Sequence, residues 1–200
     1  MKPSDIKLKE QVHPLMLSFP ECFESERLQI RAPQYGDGAA VHAAVYESAE
    51  ELKPWMPWAR ELPTLEQSEI TVREGRHQFL DRSDLRLLLF DKESGEFIGS
   101  SGLHRIDWKA RRFEIGYWIR TSCSGRGYIT EAVDRITTFA AEKLQANRIE
   151  IRCDARNVRS RRVAERLGFT QEALLRLESC DIDGKLRDTL VFAKVRGVEY

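Results

Sequence analysis

The sequence predicts an α/β (α+β) fold, in which a mixed and mostly antiparallel central sheet is flanked by helices. Two observations carry this prediction. Residues 112–154 alternate apolar and polar residues, then repeat apolar residues at helical spacing, then alternate again, which is the pattern of a βαβ unit with two parallel strands. Residues 85–106 and 170–195 each have the pattern of two strands joined by a turn, and such strands are antiparallel.

The first half of the chain holds the outer elements of this sheet. Leu28 and Ile30 alternate with polar residues, as in a strand, and Thr64 with Gln67 has the form of a capping box at the start of a helix. In chain order we expect a strand at 26–33 that Pro33 ends, a helix from Asp37 to about Ala49, a proline-containing loop at 52–60, a helix from Thr64 to about Asp81 and a strand at 85–90.

The second half holds the βαβ unit. Its first strand places Glu114, Trp118 and Arg120 on the face opposite Phe113 and Ile115. A single apolar stripe marks the helix that follows, and a return to alternation marks the second strand. The expected elements are a strand at 112–120, a helix from about Gly127 to Leu144, a strand at 148–154, a short helix that begins at Asn157 or Ser160 and stops at Gly168, and two strands joined at Asp183-Gly184.

Length and composition limit the classes of protein. The 200 residues suit one domain, 1–200, with an irregular N-terminal extension at 1–23. No run approaches the roughly 18 apolar residues that a membrane span needs, so no membrane partner is expected. The start of the chain lacks the apolar core of a secretion signal, which favours a cytoplasmic location. The 32 basic and 32 acidic residues cancel, so no nucleic-acid partner is expected either.

Charge is less even between Arg148 and Arg166. Seven arginines stand against three acidic residues in this stretch, so it either meets a multiply charged anion or forms a surface of ion pairs, and charge alone favours the ion pairs. The four cysteines and four histidines follow no ligand pattern, so neither a metal site nor a disulfide framework is predicted. The cysteines are expected to be reduced thiols, and each histidine a surface residue or a satisfied core residue.

The stretch SCSGRGYITEA at 122–132 carries the strongest functional signal. A strand that ends in a Gly-x-Gly turn and enters a helix directs several backbone N–H groups at one point, where the helix N-terminus adds positive potential. Gly125 and Gly127 allow the backbone to approach a pyrophosphate closely. A turn of this kind before a helix is therefore typical of a phosphate-binding site, although alone it is often only a tight turn.

Two common phosphate-binding motifs do not fit this turn. Thr130 stands where the dinucleotide-binding fingerprint has its third glycine, and no acidic residue closes the next strand in the expected way. The Gly-Lys-Ser/Thr sequence of a P-loop is also absent from the chain. A different anion-bearing cofactor is required.

Four segments in order carry a resemblance to a known family. They are ERLQIRAP, LKPWMPWA, FEIGYWI followed by SGRGYITEA, and NVRSRRVAERLGF. Together they resemble the GCN5-related N-acetyltransferase (GNAT) superfamily, in the branch that acetylates the N-terminal alanine or serine of ribosomal proteins. The resemblance extends from about Glu26 to Val195 and is more specific than any one segment.

The resemblance implies that the turn holds the pyrophosphate of acetyl-CoA, the cosubstrate, with no metal. Asn157 is implied as a further cofactor contact, and its alternative role is that of a helix cap. The loop with Trp55 and Trp58 helps to wall the acceptor site in that branch, although a rigid aromatic loop also serves as a plug over a core. The remaining implied cofactor contacts are Gly125, Arg126, Gly127, Tyr128 and Ile129 at the turn, and backbone N–H groups near Trp118, Ile119 and Arg120.

Acetyl transfer to an amine requires three catalytic functions: removal of a proton from the amine, stabilisation of an oxyanion, and protonation or solvation of the departing thiolate. Glu114 is the candidate base, acting through a water, and its alternative is an ion pair with an arginine. Many superfamily members carry a tyrosine acid where this chain has Ala164, so Ser160 is the nearest replacement by resemblance; its alternative is the N-cap of a helix at 161–167. Ser122 replaces a frequent Gln or Arg of the superfamily, which removes a side-chain contact but leaves the backbone contacts.

Three hypotheses for the function follow. The first is an N-acetyltransferase that acts on a protein N-terminus, most readily of the ribosomal-protein type. The second is the same chemistry on a small amine such as an amino acid, a polyamine or an aminoglycoside. The third is a CoA-binding module without turnover, which the missing tyrosine allows. A homodimer is compatible with all three.

Overall fold

The computed structural model describes residues 12–200 and contains one mixed sheet of eight strands. The strands are β1 (Cys22–Glu24), β2 (Leu28–Arg31), β3 (Leu85–Asp91), β4 (Phe97–Asp107), β5 (Arg112–Ile119), β6 (Arg148–Asp154), β7 (Thr170–Cys180) and β8 (Leu186–Val195). The helices are α1 (Gly38–Glu47), α2 (Ala49–Leu52), α3 (Leu65–Asp81), α4 (Tyr128–Glu142) and α5 (Val158–Arg166). Short 3-10 turns occupy Pro14–Met16, Pro57–Arg60 and Thr121–Cys123.

The strand order is β1-β2-β3-β4-β5-β6-β8-β7. All neighbouring strands are antiparallel except β5 and β6, which are parallel and are joined through α4. The predicted fold class and the predicted βαβ unit are therefore confirmed. The two hairpins, β3–β4 and β7–β8, also lie where the sequence predicts them.

The first third of the chain differs in detail from the expectation. Residues 1–11 of the expected irregular extension lie outside the described residues, and its last part is not irregular, because β1 begins at Cys22 and pairs with β2. The helix expected from Asp37 to Ala49 breaks at Ser48 into α1 and α2. Asp37 does not cap α1 with its side chain, since its carboxylate is held by the Arg31 guanidinium.

The proline segment is also more ordered than a plain loop. Leu52 ends α2, and Pro57 begins a 3-10 turn, where a proline fits because the first N–H of a helical turn needs no partner. The capping box at the start of α3 is confirmed in full, because the Thr64 hydroxyl accepts from the Gln67 N–H and the Gln67 amide oxygen accepts from the Thr64 N–H.

Helix α4 packs its predicted apolar stripe against the sheet. Val133, Ile136 and Ala140 are fully buried there, together with Phe113 and Ile115 of β5. Leu144 lies two residues beyond the end of α4 but is also buried, so the stripe extends past the helix. This burial fixes the N-terminus of α4 at the end of β5. No helix within residues 12–200 is long and apolar enough to cross a membrane.

A gap opens between the two parallel strands. Their pairing covers only three residue pairs and ends at Glu114 with Glu150, although β5 continues to Ile119 and β6 to Asp154. The edge of β5 that faces β6 therefore has no strand partner in its second half. The gap lies beside the Gly-x-Gly turn, because that turn follows directly after β5.

Candidate active site

The turn after β5 divides sharply into satisfied and open backbone N–H groups. Every N–H from Arg120 to Ser124 donates to a protein acceptor, including the Ser48 hydroxyl and the Glu47 carboxylate. The next six N–H groups, from Gly125 to Thr130, have no acceptor anywhere in residues 12–200. Six adjacent open donors at the N-terminus of a 15-residue helix have the arrangement that binds anions in proteins.

The two glycines give the turn its shape. Gly125 and Gly127 have φ angles of +77° and +82°, in the left-handed region that disfavours residues with a Cβ. A Cβ on Gly127 would lie 3.6 Å from a guanidinium nitrogen of Arg27, an ordinary contact, whereas a Cβ on Gly125 would meet nothing within 4 Å. Gly127 is thus required for its backbone conformation, and Gly125 borders open space from which a ligand can approach.

An arginine far away in the chain braces this turn. The Arg27 guanidinium donates to the carboxylate of Glu131 in the first turn of α4 and to the carbonyl of Arg126. It also lies over the ring of Tyr128, 4.4 Å from the centroid, and the Tyr128 hydroxyl donates to Asp91. These contacts hold the turn in place through its side chains and the Arg126 carbonyl, and they use none of its open N–H groups. No local pattern in the sequence predicts this role for Arg27.

Of the three backbone N–H groups predicted to contact the cofactor at the end of β5, two already face strand β4 and one faces the gap. The Arg120 N–H donates to the Ile98 carbonyl of β4, and its side chain is paired with Glu47 and Glu96. Because ladder bonds of an antiparallel pair alternate, the Trp118 N–H also faces β4, whereas the Ile119 N–H faces the gap. The N–H groups of Arg120 and Trp118 are therefore not available to a cofactor, which corrects the prediction for these two residues. The contact at Ile119 stays a prediction.

Ser160 lies on the other border of the gap, beside an unexpected partner. The hydroxyl oxygens of Ser160 and Tyr117 are 2.9 Å apart, and the Tyr117 hydroxyl also lies 3.1 Å from the Ser160 carbonyl. Burial raises the pKa of the Tyr117 phenol, so it stays protonated and remains a donor at neutral pH. Tyr117 alternates onto the same face of β5 as Phe113 and Ile115, and a buried phenol needs a hydrogen-bond partner, which was the available signal in the sequence.

The helix cap belongs to Asn157 and not to Ser160. The Asn157 side-chain oxygen accepts from the Ser160 N–H, so Asn157 is the N-cap of α5 and Ser160 is its third residue. The alternative in which Ser160 caps a helix at 161–167 is therefore wrong. The cap uses only the side-chain oxygen of Asn157, and its amide nitrogen has no partner in the described part of the chain.

Glu114 stands at the point where the gap opens, on the opposite face of the sheet from Tyr117. Its carboxylate lies 3.4 Å from the Arg105 guanidinium and 4.0 Å from that of Arg152. Burial raises the pKa of Glu114 above its ordinary value, while the two arginines act in the lowering direction. The ion-pair alternative is thus present in the structure, but both contacts are long and leave the carboxylate able to take a proton.

The tryptophan loop covers the same face of β5 as Glu114. The Trp58 ring lies 5.9 Å from that of Trp118, which in turn packs against Phe97. Trp58 is half exposed, so it borders the surface and does not fill a core. Trp55 is partly buried, and it makes no ring contact with the site within residues 12–200.

The remaining sequence features resolve as follows. Arg148, Arg152 and Arg156 form ion pairs, which is the alternative that the charge pattern favoured over a site for a multiply charged anion. Arg126 is exposed at the turn, and Ile129 buries its side chain while its N–H stays open. All four cysteines are free thiols. Within residues 12–200, no group of three or more His, Cys, Asp or Glu side chains could hold a metal ion.

Comparison with known proteins agrees with this geometry. YdaF of Bacillus subtilis (strain 168) is 29% identical over 177 residues, covering 88% of this chain and 94% of the relative. The ribosomal-protein-serine acetyltransferase of Escherichia coli (strain K12) is 31% identical over 127 residues, covering 62% and 70% of the two chains. A solved structure of RimL, a ribosomal L7/L12 α-N-protein acetyltransferase in complex with coenzyme A, has the same fold, with a TM-score of 0.82 at 23% identity over 88% of this chain and 98% of that one.

A family model gives the assignment. The model for the acetyltransferase (GNAT) domain matches residues 27–170, which include the braced turn, the gap beside β5 and all of α5. The resemblance predicted from the sequence segments is therefore confirmed, and the chain belongs to the GNAT family of acetyltransferases.

Proposed function

We propose that this protein transfers the acetyl group of acetyl-CoA to the N-terminal amine of a protein, of the ribosomal-protein type. The observation that carries the proposal is the run of six open N–H groups from Gly125 to Thr130, which suits the pyrophosphate of CoA. The relatives with ribosomal-protein names and the RimL complex with coenzyme A support the choice of acceptor and cosubstrate.

The cosubstrate would be held along the gap beside β5. The pyrophosphate lies at the turn, and the Ile119 N–H supplies a backbone donor farther along the strand for the pantetheine arm or the thioester oxygen. The amide nitrogen of Asn157 provides another donor at the start of α5. Bound acetyl-CoA would supply an activated thioester, and these donors would orient it.

The acceptor amine would approach from the Glu114 face. An amine attacks a thioester only when it is neutral, so a base must take its proton. Glu114 is placed for this task at the opening of the gap, with a pKa that burial brings nearer to neutral pH. Trp58 and Trp118 form an apolar wall beside it, against which the first side chain of an acceptor peptide can pack.

The departing thiolate would be met by a pair of hydroxyls. The Ser160 hydroxyl is free to donate toward the sulfur when the Tyr117 hydroxyl donates its one proton to Ser160, whose hydroxyl and carbonyl oxygens both lie within its reach. The tyrosine that is missing at Ala164 is thus replaced by a tyrosine from β5 that acts through Ser160. This arrangement argues for turnover and against a module that only binds CoA.

The experiment that tests this function is mass spectrometry of acetyl transfer. The purified protein is incubated with acetyl-CoA and peptides that begin with serine or alanine, and in parallel with amino acids, polyamines and aminoglycosides. Acetylation of the peptide N-terminus is the expected result. Acetylation of small amines alone would contradict the choice of acceptor, and CoA binding without any product would leave only a binding module. The homodimer stays a prediction.

The paired hydroxyls of Ser160 and Tyr117 lead to a separate prediction. We expect Ser160→Ala and Tyr117→Phe each to lower kcat about tenfold or more while the Kd for CoA is unchanged, because both remove support from the leaving thiolate. Since Asn157 caps α5 through the Ser160 backbone, the melting temperature of Ser160→Ala should change little. An unchanged kcat in a folded Ser160→Ala protein would remove the hydroxyl from the mechanism.

The contacts by which Arg27 braces the turn lead to another prediction. Arg27→Lys keeps a positive charge but cannot reach Glu131 and the Arg126 carbonyl together, so the turn loses its support. We expect the Kd for CoA, measured by calorimetry, to rise several-fold, while the affinity for pantetheine, which has no pyrophosphate, stays the same. Equal loss for both ligands would mean that Arg27 acts on the whole fold and not on the turn.

A further inference from the structure

A second group of titratable side chains lies beside Glu114. His104 on β4 is the register partner of Glu114 on β5, so the two side chains project next to each other from the same face of the sheet. The Nδ1 atom of His104 lies 2.7 Å from Oδ2 of Asp84, the residue that precedes β3. The side chains of His104 and Asp84 are 29% and 23% exposed, so the pair has access to water.

Two glycines make room for the imidazole ring. Gly102 and Gly116 face each other across β4 and β5. A Cβ on Gly116 would come within 3.1 Å of the His104 Cδ2 and 3.4 Å of its Nε2, and a Cβ on Gly102 within 2.9 Å of its Cε1. The ring therefore lies on the glycine pair, and its Nε2 edge faces β5 beside Gly116, two residues from Glu114 on the same face.

The contact with Asp84 sets the chemistry of the ring. A carboxylate at Nδ1 favours the tautomer with the proton on Nδ1, which leaves Nε2 as the acceptor. No side chain or backbone group in residues 12–200 forms a hydrogen bond with Nε2. This is the arrangement of an oriented base, in which the carboxylate also stabilises the imidazolium that forms when Nε2 takes a proton.

We propose that His104, oriented by Asp84, receives the acceptor proton from Glu114 and passes it to solvent. This inference rests on the proposed function. The amine N–H bond breaks as its proton passes through a water to Glu114, forming an O–H bond there. Because no Glu114 oxygen lies within 4.0 Å of a His104 nitrogen, that O–H bond then breaks as a bridging water relays the proton to His104 Nε2, and water or buffer takes it from there. Glu114 returns to its carboxylate form, ready for the next turnover.

Several of the surrounding charges act on this transfer, and the Asp84 carboxylate favours it. Moving the proton from Glu114 to His104 creates a carboxylate next to an imidazolium, and Asp84 adds a second negative charge at the far side of the ring. Arg105 and Arg152 stabilise the Glu114 carboxylate, whereas the charge of Glu150 raises the pKa of Glu114 and acts in the opposite direction. The nearby Arg86 guanidinium is turned away toward the Thr71 carbonyl.

The test uses His104→Asn, whose amide can still donate to Asp84 but cannot take up a proton. With an N-terminal serine peptide and acetyl-CoA, we expect kcat to fall about tenfold, with the Kd for CoA and the melting temperature unchanged. In the variant the rate should rise with buffer concentration, because a soluble base replaces the histidine, whereas the wild-type rate should not. His77→Asn, which alters an exposed histidine bound to Tyr35, is the matched control and should keep the wild-type rate.

Two outcomes would overturn the inference. One is a wild-type kcat in His104→Asn at every buffer concentration. The other is a lower kcat in His104→Asn that accompanies a lower melting temperature and does not rise with buffer concentration, together with a kcat in His104→Ala that added imidazole does not restore. That result would mean that the contact between His104 and Asp84 serves only the stability of the fold. Absence of turnover in the wild-type protein with every acceptor would instead contradict the proposed function, so the two failures are distinct.

Discussion

Replacement of Gly127 by valine is expected to weaken the binding of CoA at least tenfold. Gly127 has a φ angle of +82°, and an L-residue in the left-handed region costs roughly 1–2 kcal/mol, with a β-branched residue at the upper end. The turn can relieve this strain by rotating, which redirects the open N–H groups from Gly125 to Thr130 away from a common point. Tenfold in affinity corresponds to about 1.4 kcal/mol, so the strain is large enough to produce the effect.

Calorimetric titration with CoA measures this loss, and Gly197→Val is the matched control. Gly197 has nearly the same φ angle, +79°, and a Cβ there would meet nothing within 4 Å, but it lies in the C-terminal turn after β8. The control should carry similar backbone strain and keep its affinity for CoA. Equal affinity of a folded Gly127→Val protein would show that the turn does not bind the pyrophosphate.

Replacement of Glu114 by glutamine is expected to lower kcat about a hundredfold, because general bases typically contribute at least that much. The amide keeps the shape of the side chain but cannot take a proton from the amine. The Kd for CoA should be nearly unchanged, since Glu114 lies on the acceptor face and not at the turn. The measurement is a steady-state assay with the peptide acceptor at saturating acetyl-CoA.

The dependence on pH gives a second readout for Glu114. Burial raises the pKa of this carboxyl, and only its ionised form accepts a proton, so wild-type kcat/KM should fall as the pH drops through a value above that of an ordinary glutamate. This acid limb should vanish in Glu114→Gln. Glu172→Gln is the control, since Glu172 also pairs with an arginine of β6, Arg148, and it should retain both rate and profile. If Glu114→Gln behaved like this control, Glu114 would be only an ion-pair partner of Arg105 and Arg152.

Local sequence patterns determined the elements and the turn. Period-two alternation identifies β5 and β6, the apolar stripe identifies α4, and the capping box identifies the start of α3, because each pattern reflects contacts within a few residues of chain. The two glycines predicted a tight turn before a helix for the same reason. Family membership was also accessible, since the segments that carry the resemblance are contiguous stretches at these same elements.

Only the tertiary structure decided which side chains meet at the site. Tyr117 reaches Ser160 across 43 residues, and Arg27 reaches Glu131 across 104, so neither pair leaves a local pattern. The gap beside β5 depends on where its pairing with β6 stops, and the place of His104 beside Glu114 depends on the register between β4 and β5. Strand order and register arise from the packing of the whole sheet. For that reason the sequence predicted a turn with open N–H groups, but it did not predict that Arg27 braces this turn or that Tyr117 and His104 lie beside the other site residues.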